Sequence, residues 1–108
     1  MSLQKYDFLQ LVCNAEHLDL SNKLLRGTTA EAIFKCKKLK HVDISQNGLN
    51  GLIPPIIADL SVVKTIDLSQ NRLSESIPAQ LFNAIGIHLL KLQSNRLTGS
   101  IPMEVATG

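Results

Sequence analysis

The sequence predicts an α/β repeat fold: a solenoid of about four units, each contributing one strand to a parallel sheet on the concave side. Three observations predict it. Four segments, starting at Leu18, Val42, Ile66 and Leu90, begin 24 residues apart without slippage. A second marker keeps the same phase, because Ile53-Pro54, Ile77-Pro78 and Ile101-Pro102 recur at intervals of 24, as do Asn47, Asn71 and Asn95. Within each segment apolar and polar residues alternate, as in a half-buried strand. A fixed period between about 20 and 50 residues marks a stacked array, so function is to be sought on the faces of a solenoid.

Taken in order, residues 1–14 read as a partial repeat or cap, in which Tyr6, Phe8, Leu9 and Val12 fold across the first strand. Residues 15–108 carry the repeats, with strands expected near 17–21, 41–45, 65–69 and 89–93. In the second, Val42 and Ile44 point inward while His41, Asp43 and Ser45 point out. Roughly twenty residues separate equivalent strands, so the strands run parallel and are joined by crossovers. The crossovers carry apolar residues three apart, namely Ile33, Cys36 and Leu39, then Ile57, Leu60 and Val63, then Leu81, Ala84 and Ile87. That spacing predicts short helical or 3₁₀ turns whose apolar columns form the core. Asn47, Asn71 and Asn95 sit just past their strands beside Leu49, Leu73 and Leu97. A buried amide there must bond the loop backbone, which predicts a structural ladder. In the first unit Lys23 takes this place, so either Asn22 substitutes through a bulge or the turn is loose.

Assembled, the repeat reads L-x-x-L-x-L-S-x-N-x-L-x-G-x-I-P and resembles the plant-type leucine-rich repeat over roughly residues 15–105. LNGLIP from Leu49 and LTGSIP from Leu97 keep the complete ending; Thr29-Ala30 replaces Ile-Pro in the first unit. The resemblance implies a right-handed superhelix with a concave parallel sheet, and a short second strand from the Gly-x-Ile-Pro segment near the convex side. It implies an ectodomain of a receptor-like kinase or receptor-like protein, or an inhibitor of a cell-wall-degrading enzyme such as polygalacturonase. The family's usual setting is extracellular. With no N-x-S/T sequon, secretory h-region or flanking cysteine pair, an intracellular setting stays open.

A chain of 108 residues has room for one domain with a modest core. With 11 basic against 9 acidic residues the general field is too weak to predict nucleic acid or an anionic membrane as partner. Its apolar runs are far too short to insert into a bilayer. Cys13 and Cys36, 23 residues apart, match neither a zinc motif nor a redox pair. The period puts Cys36 at the inward position of Leu60 and Ala84, and Cys13 at the outward position of Lys37. Side chains pointing apart are not easily bridged, so a buried free Cys36 is expected, with a disulfide between adjacent repeats as the alternative.

Outward strand positions form columns across the concave face. One reads Asp19, Asp43, Asp67, Lys91; beside it run His17, His41, Thr65, Leu89 and Glu16, Lys40, Lys64, His88, and on the other side Ser21, Ser45, Ser69, Gln93. Neighbouring strands lie about 4.8 Å apart, so the aspartates repel and nearby Lys40, Lys64 and Lys91 are expected to relieve them. His17, His41, Asp19 and Asp43 offer nitrogen and oxygen donors suited to zinc or nickel, but no ligand spacing marks them and no metal or cofactor is expected. His41, Asp43 and Ser45 invite a hydrolase reading that distance defeats: His41 and Ser45 are about 13 Å apart with the aspartate between them. Lys35, Lys37, Lys38 and Lys40 form a basic cluster without aromatic partners, read as a solvated helical edge.

The expected function is binding of a protein or peptide on the concave face, through Glu16, His17, Asp19, Lys40, His41, Asp43, Lys64, Asp67 and Lys91, without catalysis. A structural scaffold or self-assembly segment is the competing reading. Aromatic anchors are missing from the concave strands, so binding by this segment alone is expected to be weak. Leu90, Leu92, Leu97, Ile101 and Val105 are expected to face no further repeat, predicting a homodimer through the C-terminal end or a solenoid that continues there.

Overall fold

The computed structural model describes residues 13–83 and 86–99. In chain order the elements are β1 (His17–Asp19), β2 (Arg26–Gly27), a short helix α1 (Thr29–Ile33), β3 (His41–Asp43), β4 (Gly48–Leu52), a 3₁₀ turn (Pro55–Asp59), β5 (Thr65–Asp67), β6 (Arg72–Ser76), a second 3₁₀ turn (Ala79–Asn83), β7 (Leu89–Lys91) and β8 (Arg96–Thr98). Each of the first three repeats therefore makes two strands and one short crossover, and the fourth adds β7 and β8.

The strands form two parallel sheets, β1-β3-β5-β7 and β2-β4-β6-β8. The first keeps the sequence period as its register: His17, His41, Thr65 and Leu89 stand side by side. The second slips by two residues per repeat, with Arg26 opposite Gly48, Asn50 opposite Arg72 and Ser74 opposite Arg96. A slip of two preserves which side chains face inward, whereas a slip of one would turn the apolar set out to solvent.

The concave strands have three residues rather than the five expected, and in the first three a serine two places after the aspartate closes the turn at the strand's end. Ser21, Ser45 and Ser69 each donate their backbone N–H to the preceding aspartate's Oδ1 at 3.0 Å, which bends the chain out of the strand. The next residues, Asn22, Gln46 and Gln70, then take left-handed φ of 52°, 57° and 57°. Asn22 is thus a turn residue with an exposed side chain, not a stand-in for the missing amide.

Between the sheets the inward residues interlock. Ile33, Leu39, Ile44, Leu49, Ile53, Ile57, Ile66, Leu68 and Leu73 are fully buried, as is Phe34. Leu60, Val63 and Leu81 continue the crossover columns and Ile87 packs against them; Ala84 lies outside the described residues. So do the proposed cap residues Tyr6, Phe8, Leu9 and Val12, and Ile101 and Val105 of the C-terminal patch.

Each asparagine binds backbone in two units at once. Asn47 Oδ1 accepts the N–H groups of Lys23 and Leu25, both at 3.0 Å, while its Nδ2 donates to the carbonyls of Leu20 and Ile44. Asn71 accepts from Leu49 and donates to Ile44 and Leu68; Asn95 accepts from Leu73 and donates to Leu68 and Leu92. Because each amide reaches backward, the turn at Lys23 is held by Asn47, and the Lys23 side chain stays in solvent.

The cysteines correct the expectation of a free thiol: Cys13 and Cys36 form a disulfide, with Cα atoms 4.5 Å apart. Cys36 is buried as the period requires. Cys13 is half-buried and packs against the core rather than facing out. It precedes the first full repeat and stands one residue short of the 24-residue phase from Cys36, so counting by the period assigned it the wrong side.

The concave face and its relatives

Period-2 alternation in β1, β3, β5 and β7 puts Leu18, Val42, Ile66 and Leu90 into the interior and leaves the flanking side chains outward. His17, Asp19, His41, Asp43, Asp67 and Lys91 from the expected set converge, with Thr65 and Leu89, on one shallow depression of about 390 Å³. Glu16, Lys40 and Lys64 do not line it; they occupy the row before the strands, along one rim. Register brings these residues together, since each column comes from equivalent positions of four repeats.

The aspartate column is held in place. Ser21, Ser45 and Ser69 donate their hydroxyls to Oδ1 of Asp19, Asp43 and Asp67 at 2.6 Å, in addition to the backbone bonds. Each carboxylate is fixed on one oxygen, and Asp67 pairs in register with Lys91, which reverses the charge of the column. For Asp19 the Ser21 hydroxyl, reinforced by the Ser21 amide, holds the carboxyl below its ordinary value. The expected relief of the aspartates by Lys40 is not what forms: Lys40 Nζ lies 3.3 Å from Glu16 in an ion pair. That arrangement follows from the backbone, because the Lys40 and His41 N–H groups bind the Glu16 carbonyl and bring the two side chains abreast.

The histidines stack. The rings of His17 and His41 have centroids 4.6 Å apart at 33°, and His41 Nδ1 lies 2.9 Å from Thr65 Oγ1. The Ser45 hydroxyl bonds Asp43 and His41 turns to Thr65, so the hydrogen-bond order differs from that of a serine–histidine–aspartate triad. No group of three or more His, Cys, Asp and Glu side chains among the described residues is arranged to hold a metal ion. Sequence reasoning placed Thr65 and Leu89 in the right column without choosing them, although Thr65 bonds His41 and Leu89 is 49% exposed at the end of the depression. The serines' role was readable in the recurring Asp-x-Ser spacing.

Two parallel sheets around an apolar interior, an asparagine ladder and a 24-residue period define the leucine-rich repeat class. The leucine rich repeat profile matches residues 13–73, a second leucine rich repeat profile matches 63–84, and the chain belongs to that family in its plant form. Comparison with curated protein sequences finds no match. Among solved structures, the chain is similar to the plant peptide hormone receptor RGFR1 in complex with RGF2 (TM-score 0.80, 32% identity, 90% of this chain and 16% of that one). It is similar to the Arabidopsis receptor kinase HAESA in complex with the peptide hormone IDA and the co-receptor SERK1 (0.74, 32%, 81% and 15%). A third is the ectodomain of the Arabidopsis thaliana receptor kinase GASSHO1/SCHENGEN3 in complex with CASPARIAN STRIP INTEGRITY FACTOR 2 (0.70, 43%, 76% and 10%). The chain spans a small part of the length of each.

Proposed function

We propose that this chain is a receptor-like binding module that takes a protein or peptide on its concave face. The observation that carries this reading is the row of serine-pinned carboxylates beside the stacked histidines, ending in Lys91 and the exposed Leu89. Side chains already held in one rotamer lose little freedom when a partner arrives, so more of the contact energy appears as affinity. Two of the solved neighbours are a peptide hormone receptor in complex with RGF2 and a receptor kinase in complex with the peptide hormone IDA, which supports the same reading. The Cys13–Cys36 bond suits an oxidising, extracellular setting.

Selection of a displayed random-peptide library against the chain tests it. Enriched peptides are expected to lose binding in Lys40→Glu, Lys64→Glu and Asp43→Asn; the last removes charge while keeping an oxygen for Ser45. No enrichment, or binding indifferent to all three, would favour the scaffold reading instead.

A further inference from the structure

A second surface of distinct chemistry lies where the first crossover turns into β3. Residues 35–40, Lys-Cys-Lys-Lys-Leu-Lys, hold four of the chain's 11 basic residues, and no acidic residue stands between Glu31 and Asp43. The remainder of the chain is therefore net acidic, and the positive charge is concentrated on this one bend. We propose that Lys35, Lys37 and Lys38 bind a linear acidic polysaccharide.

The fold sorts the run into an inner and an outer set. Cys36 and Leu39 are buried, while Lys35, Lys37 and Lys38 are exposed. The bend that carries them is held twice over: the Lys35 and Cys36 N–H groups bind the carbonyls of Ala32 and Ile33, and Cys36 is bonded to Cys13. Lys40 is taken up by Glu16, whereas Lys35, Lys37 and Lys38 make no ion pair with the described residues. Glu31 stands four residues before Lys35 and Asp59 one period after it, and neither pairs with it. Three ammonium groups are thus open to a partner within about 10 Å of chain.

What surrounds the lysines selects the class of partner. A protein docks on apolar anchors at the centre of its interface, and the exposed large apolar side chains of the described residues, Leu24, Leu52 and Leu89, all lie elsewhere. Affinity at the bend must come from charge. Lysine-rich runs of this length suit nucleic acids or acidic glycans, and the Cys13–Cys36 bond suits an oxidising compartment, where the polyanion to be met is the glycan. Ammonium groups are compact charges on flexible stems, so they can follow carboxylates at whatever spacing the sugar repeat sets. None of the three lysines lines the concave depression, so either surface can fail without the other.

An amide-resolved NMR titration with an oligomannuronate, which carries one carboxylate on every sugar, tests the assignment. Saturable shifts are expected at the Lys35, Lys37 and Lys38 amides, weakening as salt rises and absent with the carboxyl-reduced, neutral oligosaccharide. Lys37→Gln and Lys38→Gln are each expected to weaken binding about threefold, and the variant combining them with Lys35→Gln about tenfold or more. Arg96→Gln removes the same charge from the second sheet and should leave binding unchanged. Thermal unfolding verifies that each variant is folded. The proposal is overturned if no saturable shift appears, if the triple variant binds like wild type, or if the neutral oligosaccharide shifts the same amides. It is overturned equally if polyglutamate of the same charge binds as tightly, which would mark a surface for any polyanion.

Discussion

Asn71 shows how much one side chain can do in a stacked fold. Its amide, 7% exposed, joins the carbonyls of Ile44 and Leu68 to the N–H of Leu49. Leucine would fill the space and leave those groups unpaired, so Asn71→Leu is expected to cost about 1–3 kcal/mol, read from the chemical-denaturation midpoint. A midpoint equal to wild type would refute the ladder's contribution. Asp19 gives a pH prediction at the same scale. Its carboxyl is held low chiefly by the Ser21 hydroxyl. Because the folded value lies below the unfolded one, its contribution is present above about pH 4 and is lost as pH falls through the depressed folded value. Asp19→Asn should flatten the acid limb of a stability–pH profile; an unchanged limb would show that this aspartate does not contribute to it.

At the scale of the element, the second sheet depends on a column of left-handed residues. Gly27, Gly51 and Gly99 have φ of 75°, 86° and 81°, and Glu75 occupies the same place in the third unit at 65°. A glutamate pays for that conformation in Cβ crowding, partly offset by the greater unfolded-state freedom of glycine. Glu75→Gly is therefore expected to raise stability by about 0.5–1 kcal/mol. Gly51→Ala should do the reverse, because its Cβ would lie 3.1 Å from Cγ2 of Thr28, the residue just after β2. Denaturation of the two variants side by side checks both signs, and a destabilised Glu75→Gly would mean that Glu75 makes a compensating interaction.

The whole molecule is a stack in which each unit is stabilised by its neighbours, and the disulfide ties the residues before the first repeat to the crossover after it. Closing a loop of 23 residues restrains the unfolded chain by about 3 kcal/mol. Cys13→Ser, or reductant added to the wild type, is expected to lower the thermal midpoint. A midpoint indifferent to reductant would show that the bond adds nothing to the folded stack.

The repeat count, the parallel concave sheet, the crossover columns and the asparagine positions were all legible in the sequence, because each repeats at a fixed period and a period survives without coordinates. The outward columns of the concave face were legible for the same reason. What the period could not show is which of two neighbours a side chain chooses. Lys40 turned to Glu16 rather than to an aspartate, His41 to Thr65 and His17, and each of the first three aspartates to its own serine. Those choices follow from distances of a few ångströms set by the backbone bonds between units. The two-residue slip of the second sheet was likewise decided in three dimensions. So was the disulfide, formed where the chain leaves its own repeat phase and the counting rule ceases to apply.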